Sequence, residues 1–239
     1  MKRYLPLIII AIVLVAALAS AAVLMRKKSG PAQPANVLNE AEKPAMSSPG
    51  SAAEAAPSSS AEVSIPKPNV KVSSPVVLEE FGDYQCPPCG MLYPELKKIE
   101  ADYGDQLRIV FHHFPLTKMH KNALAAAHAA EAARNQNRFW EMHDRLYRNQ
   151  KSWAEAPDPR PTFISYAQEL GLNIDKFVRD IDSAEVDQRI NADIEKGSSM
   201  GVNGTPTVFI EGQMLRYEHT TPEGLRRGIN LMLEKKAVS

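Results

Sequence analysis

Two cysteines, Cys86 and Cys89, lie in the run Phe81-Gly82-Asp83-Tyr84-Gln85-Cys86-Pro87-Pro88-Cys89-Gly90, and the chain contains no others. Residues three apart on a helix are neighbours, so two sulfurs at this spacing can close and reopen a disulfide with little backbone movement. The chemistry on offer is thiol–disulfide exchange, in which a thiolate is the attacking species. Two other uses compete. A structural bridge across so short a loop removes little entropy from the unfolded chain. A zinc site would need two further ligands, and His112, His113, His120, His128, His143 and His219 offer no paired-ligand spacing.

The pair must be positioned by a strand and a helix. Val76-Val77-Leu78-Glu79-Glu80-Phe81, bounded by Pro75 and Gly82, reads as a strand. From Pro87 to about Tyr103, Met91, Leu92, Leu96 and Ile99 recur at helical spacing. Cys86 then sits at an exposed helix start, where unpaired N–H groups and the positive dipole end favour its thiolate, while Cys89 is shielded one turn inside. That asymmetry suits an attacking and a resolving thiol.

A second strand is predicted from Leu107 to Phe114, and a strand–helix–strand crossover places the chain in the α/β class. Residues 118–200 are helical in pattern, with segments at Asn122–Arg134, Arg138–Asn149 and Thr162–Leu170, another from Asp175 and one after Ser183. Strands return at Thr207–Ile210 and Met214–Tyr217, and an amphipathic helix at Pro222–Lys236 closes the chain. Met91, Tyr93, Trp140 and Trp153 are expected to pack in the core, as large apolar residues at helical spacing usually do.

The chain has 239 residues, 44% of them hydrophobic, which is enough for a sizeable core. Its 28 basic and 28 acidic residues cancel, so charge gives no case for a nucleic-acid partner. At the N-terminus, Lys2 and Arg3 precede an uncharged apolar run from Leu5 to Met25, which Arg26-Lys27-Lys28 closes. At about 1.5 Å per residue that run reaches roughly 31 Å, about one hydrocarbon thickness. Residues 1–28 are therefore expected to form a transmembrane signal anchor. A cleaved signal peptide is the alternative, since Ala17-Leu18-Ala19 and Ala19-Ser20-Ala21 both offer small-x-small sites. Residues 29–68, rich in Pro, Ala and Ser, read as a flexible linker that would let a following domain range some distance from the bilayer.

The residues around Cys86 resemble the active-site strand, loop and helix start of DsbA-like members of the thioredoxin superfamily. Phe111-His112-His113-Phe114-Pro115-Leu116 is similar to the second strand of that branch, Arg138-Phe139-Trp140-Glu141-Met142-His143-Asp144 to its inserted helical domain, and Gly201-Val202-Asn203-Gly204-Thr205-Pro206-Thr207 to its cis-proline loop. The resemblance implies a thioredoxin fold over residues 69–239 with a helical insertion at about 118–200. It implies Cys86 as nucleophile, Cys89 as resolving thiol, and Pro206 as a cis-proline facing them, with Thr205 offering backbone groups to a substrate peptide. Sequence alone would read Pro206 as an ordinary trans proline. Glu80 falls where the family has a buried acid that exchanges a proton with the resolving thiol, although an adjacent Glu79-Glu80 pair could also be an exposed strand end.

The implied function is a protein thiol:disulfide oxidoreductase on the extracytoplasmic, periplasmic side of a membrane. It would need no cofactor or metal and would act on protein thiols and disulfides together with a redox partner protein. The alternative is a redox-inert adaptor or holdase on the same fold. One departure bears on direction. Pro87-Pro88 stands between the cysteines, where strongly oxidising members have a histidine, so Cys86 is expected to be less acidic than theirs.

Overall fold

The computed structural model describes residues 65–238. The N-terminal apolar run and nearly all of the linker lie outside them, and among the described residues no helix is long and apolar enough to cross a membrane.

Strand β1 (Val76–Gly82) lies at the centre of the sheet. It pairs in parallel with β2 (Leu107–His113), placing Glu80 opposite Phe111, and antiparallel with β3 (Thr207–Ile210), placing Glu80 opposite Val208. A short β4 (Gln213–Met214) completes the order β2-β1-β3-β4. The strand expected at Met214–Tyr217 is shorter than its sequence implies. Strand β4 ends at Met214, a last bond from Leu215 N to Val208 O at 2.8 Å closes its pairing with β3, and Tyr217–His219 turns into a 3₁₀ helix.

Helix α1 (Pro87–Tyr103) connects β1 to β2. Proline fits its first turn because the N–H it lacks would have no helical acceptor there, and the helix stops at Gly104, whose φ of 51° suits glycine. Between β2 and β3 run α2 (Ala123–Arg134), α3 (Phe139–Arg148), α4 (Gln150–Trp153), α5 (Arg160–Glu169), α6 (Ile174–Asp180) and α7 (Ala184–Ser199). The side chains of Asn173 and Ser183 cap α6 and α7 by accepting from Lys176 N and Val186 N. Helix α8 (Pro222–Val238) closes the chain.

Strand alternation divides the core. Val76, Leu78, Val208 and Ile210 pack with Leu92, Leu96 and Ile99 of α1 and Leu225, Ile229 and Leu233 of α8. Phe81, on the opposite face, meets α7, where a Cβ on Gly197 would lie 2.9 Å from the Phe81 ring. Met142, Leu146, Trp153, Phe163 and Phe177 knit the helices between β2 and β3 into a further cluster that reaches Cys89 and Phe111.

Trp153 and Tyr93 are buried as expected, but Met91 is 68% and Trp140 42% exposed. Met91 lies on the rim of a groove, and Trp140 is at the start of α3, so helical spacing overstated their burial.

Candidate active site

The end of β1 delivers its chain to the start of α1 through Asp83-Tyr84-Gln85. Cys86 is the N-cap of α1, with extended φ and ψ of −67° and 121°, and Cys89 lies in the helix's first turn. Both carry free thiols. Cys86 is less exposed than a bare helix start implies, at 4% against 0% for Cys89. The loop before β3 covers it, and the Cys86 thiol donates to Thr205 O at 3.3 Å. The Thr205–Pro206 peptide bond in that loop is cis.

The two thiols differ more in electrostatics than in exposure. The Cys86 thiol is lowered from the ordinary value near 9 to about 6, chiefly by its hydrogen bond with Cys89 and further by Thr205 and the Cys89 backbone, against the opposing effect of burial. At pH 7 such a thiol is about nine-tenths thiolate. Burial, the hydrogen bond with Cys86 and the nearby Glu80 push Cys89 well up. Cys86 is thus the thiol that ionises, though it stays well short of the extreme near 3–4. Pro87 and Pro88 have no N–H to offer it.

Glu79 and Glu80 face opposite sides of β1. Glu79 joins Lys196 of α7 and His112 of β2. Glu80 turns inward, is 2% exposed, and its Oε1 has no hydrogen-bond partner among the described residues. Burial, with a smaller contribution from the Cys86 charge, pushes its carboxyl up to about 8. A cavity of about 20 Å³ lies against it, lined also by Tyr93, Lys97, Phe111 and His143. That is room for roughly one water.

Side chains that sequence reading did not single out hold the loop in place. Gln150 Nε2 donates to Tyr84 O at 2.7 Å and Cys86 O at 2.9 Å. Gln85 accepts from Asn122 N at 2.7 Å and donates to Ala154 O at 2.7 Å. Asp83 is buried and accepts from Gln85 N, Leu116 N and His120 Nδ1. Asp83 and Gln85 lie in the run that leads directly into the cysteine motif. His120, Asn122 and Gln150 come from segments 37 to 66 residues away along the chain. Beside the thiols, Pro88, Met91, Leu92, Glu95, Pro206, Tyr217 and Thr220–Pro222 line a groove of about 230 Å³.

Residues 71–230 match the family model described as Thioredoxin. The chain belongs to the thioredoxin family. Its thioredoxin fold is similar to that of BdbD from Bacillus subtilis, at TM-score 0.60 and 19% identity, covering 69% of this chain and 91% of that one. It is also similar to the oxidoreductase DsbA from Xylella fastidiosa, at TM-score 0.58 and 17% identity, covering 73% and 92%. The DsbA-like form of the thioredoxin fold, with helices between β2 and β3, is therefore the architecture that carries Cys86 and Cys89.

Among curated relatives, the chain is 36% identical over 147 residues to a protein of Mycolicibacterium gilvum named Na(+)/H(+) antiporter NhaA 1, covering 60% of this chain and 23% of that relative. It is likewise 36% identical over 141 residues to the Na(+)/H(+) antiporter NhaA of Herminiimonas arsenicoxydans, covering 59% and 21%. The match thus spans about a fifth of the length of these relatives.

Proposed function

We propose that this thioredoxin-family protein is a thiol:disulfide oxidoreductase that exchanges disulfides with protein substrates through Cys86 and Cys89. The observation that carries the reading is the contrast between an acidic Cys86 at a helix start and a strongly raised Cys89 lying near a buried, unpartnered Glu80.

In the reducing direction, Cys86 thiolate attacks a substrate disulfide, forming a mixed disulfide and releasing one substrate thiolate. Cys89 must then lose its proton to attack the Cys86 sulfur. In this reading Glu80, whose charge is felt at Cys89, takes it. Once Cys86 is bonded to substrate its negative charge is gone, and with it one of the two causes that raise Glu80, so the carboxylate becomes easier to form when a base is needed. Attack by Cys89 closes the Cys86–Cys89 disulfide and expels the second substrate thiolate. The reverse sequence oxidises a substrate dithiol. Thr205 O, already an acceptor for Cys86, and the groove beside Pro206 are the surfaces an extended substrate strand would use.

The N-terminal apolar run supports a membrane-tethered domain on the extracytoplasmic side, reset by a redox partner protein. The transport named for the antiporter relatives is a property of those longer proteins.

The test is non-reducing electrophoresis of Cys89→Ser and Cys86→Ser chains in cells, beside an insulin-reduction assay. Cys89→Ser should accumulate mixed disulfides that reductant dissolves, and Cys86→Ser should lose turnover and trap almost nothing. Absent wild-type turnover with no trapping by either variant would favour a redox-inert binding module. Equal trapping by both would overturn the assignment of nucleophile.

A further inference from the structure

Asp83 stands three residues before Cys86 with its side chain fully buried. Its Oδ1 accepts from Gln85 N at 2.7 Å, and its Oδ2 accepts from Leu116 N at 2.9 Å and from His120 Nδ1 at 2.7 Å. Its carbonyl accepts from Cys86 N at 3.1 Å. The carboxylate therefore fixes the turn that leads into α1. This placement carries an electrostatic cost, because the Asp83 charge is among the influences that push the Cys86 thiol up. Of the three donors on Asp83, two are neutral backbone amides. Only His120 can bring a positive charge.

We propose that Asp83 and His120 form a positioning dyad for the redox centre: Asp83 sets the turn into α1, and His120, as imidazolium, cancels the carboxylate charge that would otherwise disfavour the Cys86 thiolate. The inference deepens the oxidoreductase reading and rests on it. Pro87 and Pro88 supply neither charge nor N–H between the sulfurs, so the compensating cation comes from the segment between β2 and α2 instead.

The other ionisable groups around the turn do not provide this balance. Glu80 is held largely in its neutral form at pH 6–7, Cys89 and Tyr147 are pushed well up and stay uncharged, and Lys121 pairs with Glu155 at 3.5 Å where both are exposed and screened by water. His120 is 16% exposed, its Nδ1 lies on Asp83 Oδ2, and its Nε2 has no partner among the described residues.

Variants that remove the charge from either side of this one hydrogen bond separate charge from structure. A purely structural clamp predicts that Asp83→Asn and His120→Gln loosen the turn and move Cys86 the same way. A charge-balancing dyad predicts opposite directions. The measurement is the pH profile of Cys86 alkylation in the reduced full-length chain, with thiolate absorbance as a second readout. His120→Gln, which keeps a donor but loses the charge, should shift the profile to higher pH and slow alkylation at pH 6 by about threefold or more. Asp83→Asn should shift it to lower pH and speed alkylation at pH 5 by a similar factor. His120→Lys should restore most of the rate lost in His120→Gln. Shifts in the same direction, or an unchanged profile in His120→Gln, would overturn the proposal. Should Asp83→Asn fail to fold, the Gln and Lys variants of His120 decide it. Insulin turnover of the wild type in the same preparations is a separate readout, so failure of the oxidoreductase reading is recognised independently of the thiol profiles.

Discussion

Two buried glutamates, Glu80 under the thiol pair and Glu131 in the helical region, are about equally hidden at 2% and 1% exposure, yet they are driven in opposite directions. Burial pushes both carboxyls up, as removing a charge from water must. Glu131 meets His113 at 2.9 Å and the guanidinium groups of Arg134 and Arg189, and these outweigh burial and hold it at about 2. Glu80 has no such partner, one of its oxygens is unsatisfied, and it rises to about 8. Partners rather than depth decide whether a buried acid becomes a fixed anion that ties elements together or a carboxyl that keeps its proton near neutral pH.

The largest effect expected from breaking this contrast is on Glu131. Glu131→Gln leaves His113 and Arg189 without their shared anion and should cost about 3–5 kcal/mol of stability, measured by urea unfolding at pH 7. Because the folded-state value lies below the ordinary one near 4.5, the unfolded chain binds the extra proton, and the stabilisation is present above pH 4.5 and is lost as pH falls toward 2. Wild-type stability should therefore drop steeply through that window, and the variant's should drop less. Parallel acid profiles would show that the network does not act through the Glu131 charge.

Glu80→Gln should have the opposite sign. A folded-state value near 8 means that the native state holds a proton the unfolded chain gives up above 4.5, so wild-type stability declines from pH 4.5 to 8 and levels off beyond. The reduced variant should exceed the wild type by a margin that grows through this window to roughly 2–4 kcal/mol at pH 9. The same change should slow disulfide exchange near neutral pH by about tenfold or more, since it removes the proton acceptor proposed for Cys89. A rate unchanged across pH 6–9 would remove Glu80 from the mechanism.

The contrast between the two glutamates also marks what the sequence could and could not disclose. The Cys86–Cys89 spacing, the β1 run and the α1 period are local signals, and local rules place them correctly. Glu80 could be nominated because it lies six residues before Cys86 and one face of a strand must turn inward, but no local rule chose it over Glu79. Glu131 was invisible. It sits in an alanine-rich helix, and its partners His113 and Arg189 are 18 and 58 residues away on other elements. His120, Asn122 and Gln150 were missed for the same reason, because a polar residue in a helix or loop reads as solvated until tertiary contacts close over it. Met91 and Trp140 erred the other way, since helical spacing reports a face without reporting what covers it.

The smallest effect sharpens the comparison at the level of single hydroxyls. The Tyr84 and Tyr147 rings lie close together at a tilt of 53°, with centroids 4.9 Å apart, and both are buried. The Tyr84 hydroxyl bonds His143 Nδ1 at 3.1 Å, whereas the Tyr147 hydroxyl has no partner among the described residues. Removing one member of a made hydrogen bond strands the other, and removing an orphan strands nothing. Tyr84→Phe should thus cost about 1–2 kcal/mol, while Tyr147→Phe should be neutral or stabilising by up to about 1 kcal/mol. Thermal unfolding of the two reduced variants at pH 7 checks this. His143 refines the expectation, because burial, with His113 and Lys97, holds it at about 3, so it stays neutral and can accept from Tyr84 throughout the working range. If Tyr147→Phe proved the costlier change, its hydroxyl would have to be bonded through a water in the region it shares with Glu80 and Cys89. Glu80→Gln should then change the cost of Tyr147→Phe and leave that of Tyr84→Phe untouched.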